Sequence, residues 1–195
     1  NYCNQDTKHL LIKLVNMDLD LLVILTAMLA SQTTSQRIGH TETVHEWTVL
    51  EYDWPSDAAR QRAIQNGDFI PENNVVTGIK LYKGEMYVTV SRWLRGVPST
   101  MNRVIKKNGR SLLQPYPSWE WQTKDDCERF QFTQSMEIDP KTGYMWIIDT
   151  GRLNTRRLSE TINRCRPKLV IWDIINNRLV KIFTFPNSVS TVHYL

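Results

Sequence analysis

Arg92, Trp93, Asp149 and Arg152 are the residues whose types and positions best suit chemistry on a small molecule, with Ser99 and Thr100 in an adjoining loop. Each stands where an apolar run gives way to a polar turn. A carboxylate such as Asp149 can pair with a protonated amine, and the face of Trp93 can hold a cation or a catechol ring. The competing reading is structural, with Asp149 and Arg152 pairing with each other or capping a turn. Glu72, Asn73 and Asn74 add hydrogen-bonding groups that a turn would also use. No stronger constellation is present. The sequence has no HExxH, no nucleophile-elbow serine, no P-loop and no dinucleotide glycine pattern. His40, His45 and His193 build neither a triad nor a metal site. The expectation is no cofactor and no metal.

Two runs with one grammar must position those residues. Gly78-Ile-Lys-Leu-Tyr-Lys-Gly-Glu-Met-Tyr-Val-Thr-Val-Ser-Arg92 alternates apolar residues, turns at a glycine and alternates again. Ser135-Met-Glu-Ile-Asp-Pro-Lys-Thr-Gly-Tyr-Met-Trp-Ile-Ile-Asp-Thr-Gly-Arg152 repeats the pattern, turning at Asp139–Gly143. A third hairpin signal joins Lys168–Ile174 to Leu179–Phe185 across Asn176-Asn-Arg178. A lone ribbon is barely stable, so these must join larger sheets. Tyr87, Trp146 and Trp172 lie inside the apolar runs and read as core.

Other segments read more simply. Glu46–Tyr52 alternates as a strand would. Ser56 can cap a helix over Asp57–Gln65, with Gly67 just beyond it. Phe69–Asn74 is a loop, and the proline- and aromatic-rich Leu112–Trp121 suits an ordered connection or an edge strand. Arg152–Lys168 reads as a solvated basic loop. The class is all-β.

The bulk composition narrows the function. With 195 residues the chain can hold a sizeable core, and a net charge of +4 is too weak to argue for nucleic acid. No nucleic-acid-binding signature accompanies that charge. Leu21–Ala30 is apolar but short of the roughly 20 residues a membrane span needs. Its length suits the core of a signal peptide beginning near Met17, although Asp18 and Asp20 replace the usual positive charge. An N-terminal core helix is the alternative. Residues 1–34 therefore read as upstream sequence plus signal peptide, and export follows. Removing them leaves Cys127 and Cys165, an even pair that reads as one disulfide; two buried thiols, or thiols whose partners are missing from this chain, are the other possibility.

Phe69–Asn74, Met86-Tyr-Val-Thr-Val-Ser-Arg-Trp93, Gly96–Thr100, Pro115–Trp119, Ser135–Pro140, Trp146-Ile-Ile-Asp-Thr-Gly-Arg152 and Lys168–Asp173 follow one another in a fixed order. Together they resemble the yellow / major royal jelly protein family. Ser91 and Arg166 depart from it, each standing where the family usually has proline. The resemblance implies a secreted insect-type protein built as a six-bladed β-propeller, with 35–195 its N-terminal half. At roughly 40–50 residues per blade, that half is a partial propeller of about three blades. An open ring exposes a blade face, so the chain on its own is expected to associate. The resemblance also implies cuticle pigmentation, capture of biogenic amines, or storage. The expected partner is a small amine or catechol held by Arg92, Trp93, Ser99, Thr100, Asp149 and Arg152, with no nucleic acid and no membrane span. Dopachrome conversion, with Asp149 or a tyrosine moving the proton, is the enzymatic alternative; the missing catalytic constellation favours binding.

Overall fold

The glycine-hinged hairpins expand into two four-stranded antiparallel sheets in the computed structural model. It describes residues 39, 41–124, 126–163 and 165–188. The Leu21–Ala30 run, Cys3, His40 and His193 lie outside the described residues. Sheet 1 is a meander of β1 (Val76–Tyr82), β2 (Glu85–Val90), β3 (Met101–Lys107) and β4 (Arg110–Pro115). Sheet 2 begins with β5 (Thr133–Ile138) and β6 (Tyr144–Asp149). A two-stranded ribbon follows, β7 (Arg152–Leu153) with β8 (Ile162–Asn163). Then β9 (Lys168–Asp173) and β10 (Arg178–Thr184) complete sheet 2 in the order β5-β6-β9-β10.

The architecture is that of a partial β-propeller. Where about three blades were expected, the described residues form two complete four-stranded sheets and one short ribbon. All three anticipated hairpins are present. A fourth, β3–β4, was missed. Its turn is Asn108-Gly109, with φ of 51° and 74°, which matches Lys83-Gly84 at 48° and 83° in the β1–β2 turn. Two consecutive left-handed residues make the tight turn whose twist suits antiparallel strands, and glycine adopts that conformation without strain. The Leu112–Trp121 segment thus divides: its first part closes sheet 1 as β4. The strand expected over Glu46–Tyr52 reduces to an extended segment, with Tyr52 in a single parallel bridge to Leu113.

Helix α1 (Asp57–Gln65) forms as its sequence directs. The Ser56 side chain accepts a hydrogen bond from the Ala59 amide at 3.1 Å, and Asp57 lies in the positively polarised first turn. It buries no residue fully. Salt bridging of Arg60 to Glu51 at 2.7 Å ties it to the extended segment instead.

Two apolar clusters flank sheet 1. One joins Val88, Val90, Val104 and Leu113 to Leu50, Tyr52 and Phe69 from the amino-terminal segment. The other lies between the sheets, where Tyr82, Tyr87, Met101 and Tyr116 meet Met136, Ile138, Met145, Ile147, Val170 and Trp172. Beside it runs a seam of hydroxyls. Thr89 Oγ1 donates to the Gln134 carbonyl at 2.7 Å, and Ser91 Oγ to the Thr133 carbonyl at 3.0 Å. A proline at position 91 could not make that second bond, so this departure from the family pattern is put to structural use.

One core expectation fails. Tyr87 and Trp172 are buried, but Trp146 is 42% exposed. Strand alternation explains it. Met145 and Ile147 point from β6 into the core, which turns Trp146 and Ile148 to the opposite face, opposite Ile171 and Leu169 on β9. On that face Trp146 and Ile148 stay nearly half exposed, at 42% and 45%.

The two faces of β6 give a direct test. Ile147→Ala should lower unfolding free energy by about 2–5 kcal/mol, because it empties a filled core. Ile148→Ala should cost well under about 1 kcal/mol. Urea titration followed by tryptophan fluorescence checks both.

Candidate functional site

The polar residues that end β2 and β6 meet at one edge of the sheet pair. Sheet 1 supplies the loop Ser91–Thr100 between β2 and β3. Sheet 2 supplies the ribbon loop, residues 150–167, between β6 and β9. Backbone bonds join the loops: the Asn154 amide donates to the Arg92 carbonyl at 2.9 Å, and the Arg156 amide to the Trp93 carbonyl at 3.0 Å.

Arg92 is fully buried, and its five N–H donors all meet backbone carbonyls. Nε donates to Val97 at 3.1 Å; Nη1 to Phe130 and Gln131 at 2.8 and 2.9 Å; Nη2 to Pro98 and Gln122 at 2.9 and 2.6 Å. Burial pulls its pKa down to about 10, while the nearby Asp149 charge opposes that shift. It stays a cation at neutral pH.

Asp149 is equally enclosed. Oδ2 accepts from the Gln131 amide at 2.7 Å and from Lys168 Nζ at 2.9 Å. Oδ1 accepts from the Phe132 and Gly151 amides at 3.0 and 2.8 Å. Its ion-pair partner is therefore Lys168, itself buried, rather than Arg152. Ser99 Oγ directs its one proton between Asn102 Oδ1 at 2.6 Å and the Met101 carbonyl at 3.0 Å. Thr100 and Thr133 exchange bonds across the seam, with Thr133 Oγ1 donating to the Thr100 carbonyl at 2.8 Å.

Four of the six anticipated residues thus have their polar atoms engaged inside the protein. Trp93 and Arg152 are half-buried. Two cavities border the joined loops. One, of about 340 Å³, is lined by Trp93, Thr155 and Arg156. The other, of about 190 Å³, is lined by residues that include Arg92, Arg95, Lys124, Leu153 and Asn154. The six do not share a cavity: Arg92 borders the second and Trp93 the first. Sequence reasoning missed Lys168, Gln122, Thr155 and Arg156. Lys168 opens an apolar strand run, and that is the signal that could have marked it as buried.

The ribbon loop is held at its base. Cys127 and Cys165 form a disulfide with Cα atoms 5.4 Å apart, across 38 residues of sequence. Gly151, with φ of 72°, lies so close to the Cys165 carbonyl that an added Cβ would collide with backbone. The Cys165 amide returns a bond to the Gly151 carbonyl at 2.9 Å. Glu72 lines a separate hollow beside Pro71 and Asn74. Asn74 serves structure, accepting from the Tyr52 hydroxyl at 2.7 Å and donating to the Ile70 and Gly96 carbonyls. No described helix is long and apolar enough to cross a membrane, and no described cluster could hold a metal ion.

Comparison with known proteins fits this arrangement. A family model described as major royal jelly protein matches residues 132–194. Major royal jelly protein 5 of Apis mellifera is 32% identical over 169 residues, covering 85% of this chain and 27% of the relative. Major royal jelly protein 1 of Apis mellifera is 36% identical over 149 residues, covering 75% and 33%. Dopaminechrome tautomerase of Drosophila melanogaster is 32% identical over 161 residues, covering 77% and 34%. The chain spans roughly a third or less of the length of these relatives.

Three variants probe the framework of the site. Lys168→Met should cost about 3–5 kcal/mol, because it leaves the Asp149 carboxylate buried without its cation. Gly151→Ala should cost more than about 1 kcal/mol through strain and backbone displacement. Replacing both Cys127 and Cys165 by serine should cost about 3–4 kcal/mol, the chain-entropy value for a loop of this size. Denaturant titration measures all three, and intact unfolding energy in any of them contradicts its assigned role.

Proposed function

The chain belongs to the yellow / major royal jelly protein family, and from that premise we propose that it is a secreted protein that holds a small catechol or arylamine in the cleft beside Trp93. The cleft carries the reading. Its volume of about 340 Å³ falls at the lower end of small-molecule sites, about 300–1,000 Å³, and suits one or two fused rings. Trp93 offers a flat aromatic face to such a ring. The cleft is also fixed in place, since the backbone bonds between the loops anchor its two walls. Arg92, Ser99, Thr100 and Asp149 form the frame behind it, and Arg152 starts the ribbon strand leading to its rim. Export agrees with the Cys127–Cys165 disulfide, which persists in oxidising compartments.

Catalysis is the second reading, favoured by the similarity to a protein named dopaminechrome tautomerase. Tautomerisation needs a group that gives or takes a proton beside the ring. Asp149 accepts four hydrogen bonds and is closed to solvent. Among the described residues no Asp, Glu or His lines either cavity. Binding is therefore the better-supported function.

Calorimetric titration with 4-methylcatechol and dopamine tests this reading. Binding of at least one is expected, and Trp93→Ala should weaken it roughly three- to tenfold, the worth of one aromatic contact. Silence with both, and with a catechol acid as well, removes the proposal. Dopachrome decay should run at the same rate with and without the protein; clear acceleration would restore the enzymatic reading.

A further inference from the structure

The cleft sits in a positively charged neighbourhood. Arg156 shares its lining with Trp93 and Thr155. The smaller cavity on the other side of the same loop is bordered by Arg92, Arg95 and Lys124. These four cations differ in their engagement. Arg92 is bonded to five carbonyls. Lys124 meets Asp68 at 3.3 Å. Arg95 and Arg156 are exposed, and the ion pairs among the described residues leave both out; the neighbouring Arg157 is instead paired, with Glu160 at 2.9 Å. Among the described carboxylates nearby, Asp149 is walled off by its own four partners, Glu160 is paired with Arg157 and Asp68 with Lys124.

We infer that the ligand of this cleft is an aromatic acid rather than an aromatic amine, its ring on Trp93 and its carboxylate on the Arg156 guanidinium. The inference rests on the binding reading above. A guanidinium presents parallel N–H donors that match the two oxygens of a carboxylate, and such charge-assisted pairs are the strong ones. An ammonium in the same place meets Arg156 and finds no acidic side chain among the described residues of the cleft wall. Arg95, two residues along the same loop from Trp93, adds a longer-range attraction that salt screens.

The test is a calorimetric titration of the full chain with three probes that share a catechol ring. They are 3,4-dihydroxyphenylacetate, 4-methylcatechol and dopamine, with charges of about −1, 0 and +1 set by ordinary side-group pKa values. The acid should bind at least about tenfold tighter than the amine, with the neutral ring between them and the gap narrowing as salt rises. Arg156→Gln should weaken the acid about tenfold and bring the acid-to-neutral ratio towards one; Arg95→Gln should lower that ratio by a smaller factor. An amine that binds as tightly as the acid, or an acid indifferent to Arg156→Gln, overturns the inference. If the neutral ring still binds in that case, the broader binding function stands. If none of the three probes binds, both fall together.

Discussion

The segment Arg129–Thr133 is gripped from both sides by buried charge, and the rest of the site depends on that grip. Arg92 takes the Phe130 and Gln131 carbonyls, while Asp149 takes the Gln131 and Phe132 amides. The peptide on either side of Gln131 is thus fixed between a cation from sheet 1 and an anion from sheet 2. Lys168 closes the arrangement by donating to both the Arg129 carbonyl and Asp149. Isolated buried charges are prohibitive, and this set is tolerable because every donor and acceptor named has a partner. The two cations outnumber the one anion, and backbone carbonyls supply the remaining negative potential. That choice matters for register, because a carbonyl can satisfy Arg92 only if its strand or loop stands in one position.

From this clamp the geometry of the loops follows. Arg92 is held by Val97 and Pro98 from its own loop and by Gln122 and Gln131 from elsewhere, so the chain at Trp93 has little freedom. Its carbonyl then receives Arg156 and fixes the opposite wall of the cleft. Charge buried below and charge exposed above play different parts. The buried set holds shape, and Arg95 and Arg156 remain exposed to solvent.

Much of the fold was legible because hairpins announce themselves through alternation and turn residues. The β1–β2, β5–β6 and β9–β10 pairs and helix α1 all stand where those signals fall. The β3–β4 pair escaped although Asn108-Gly109 is a strong turn signal, since Asn102–Lys107 carries three basic residues that mask the alternation. Trp146 was misread for a different reason. Alternation tells which residues share a face, but not which face finds a neighbour. The site was less legible still. Arg92 and Asp149 stood out in the sequence as candidates for ligand contact, yet apart from Lys168 their partners are main-chain atoms up to 39 residues away, and main-chain atoms leave no trace in residue identity. Arg156 and Thr155 sat in a stretch that read only as a solvated loop, and nothing in their spacing tied them to Trp93.

The covalent tie at Cys165 sets the ribbon apart from the sheet it interrupts. β6 pairs directly with β9, so sheet 2 is complete without the intervening residues. The ribbon is therefore an appendage with its own anchor, and Thr155 and Arg156 ride on it. Such a layout lets natural variation rewrite the tip while the propeller beneath stays unchanged. Replacing the exposed side chains at Arg156 and Arg157 leaves the β6–β9 pairing untouched.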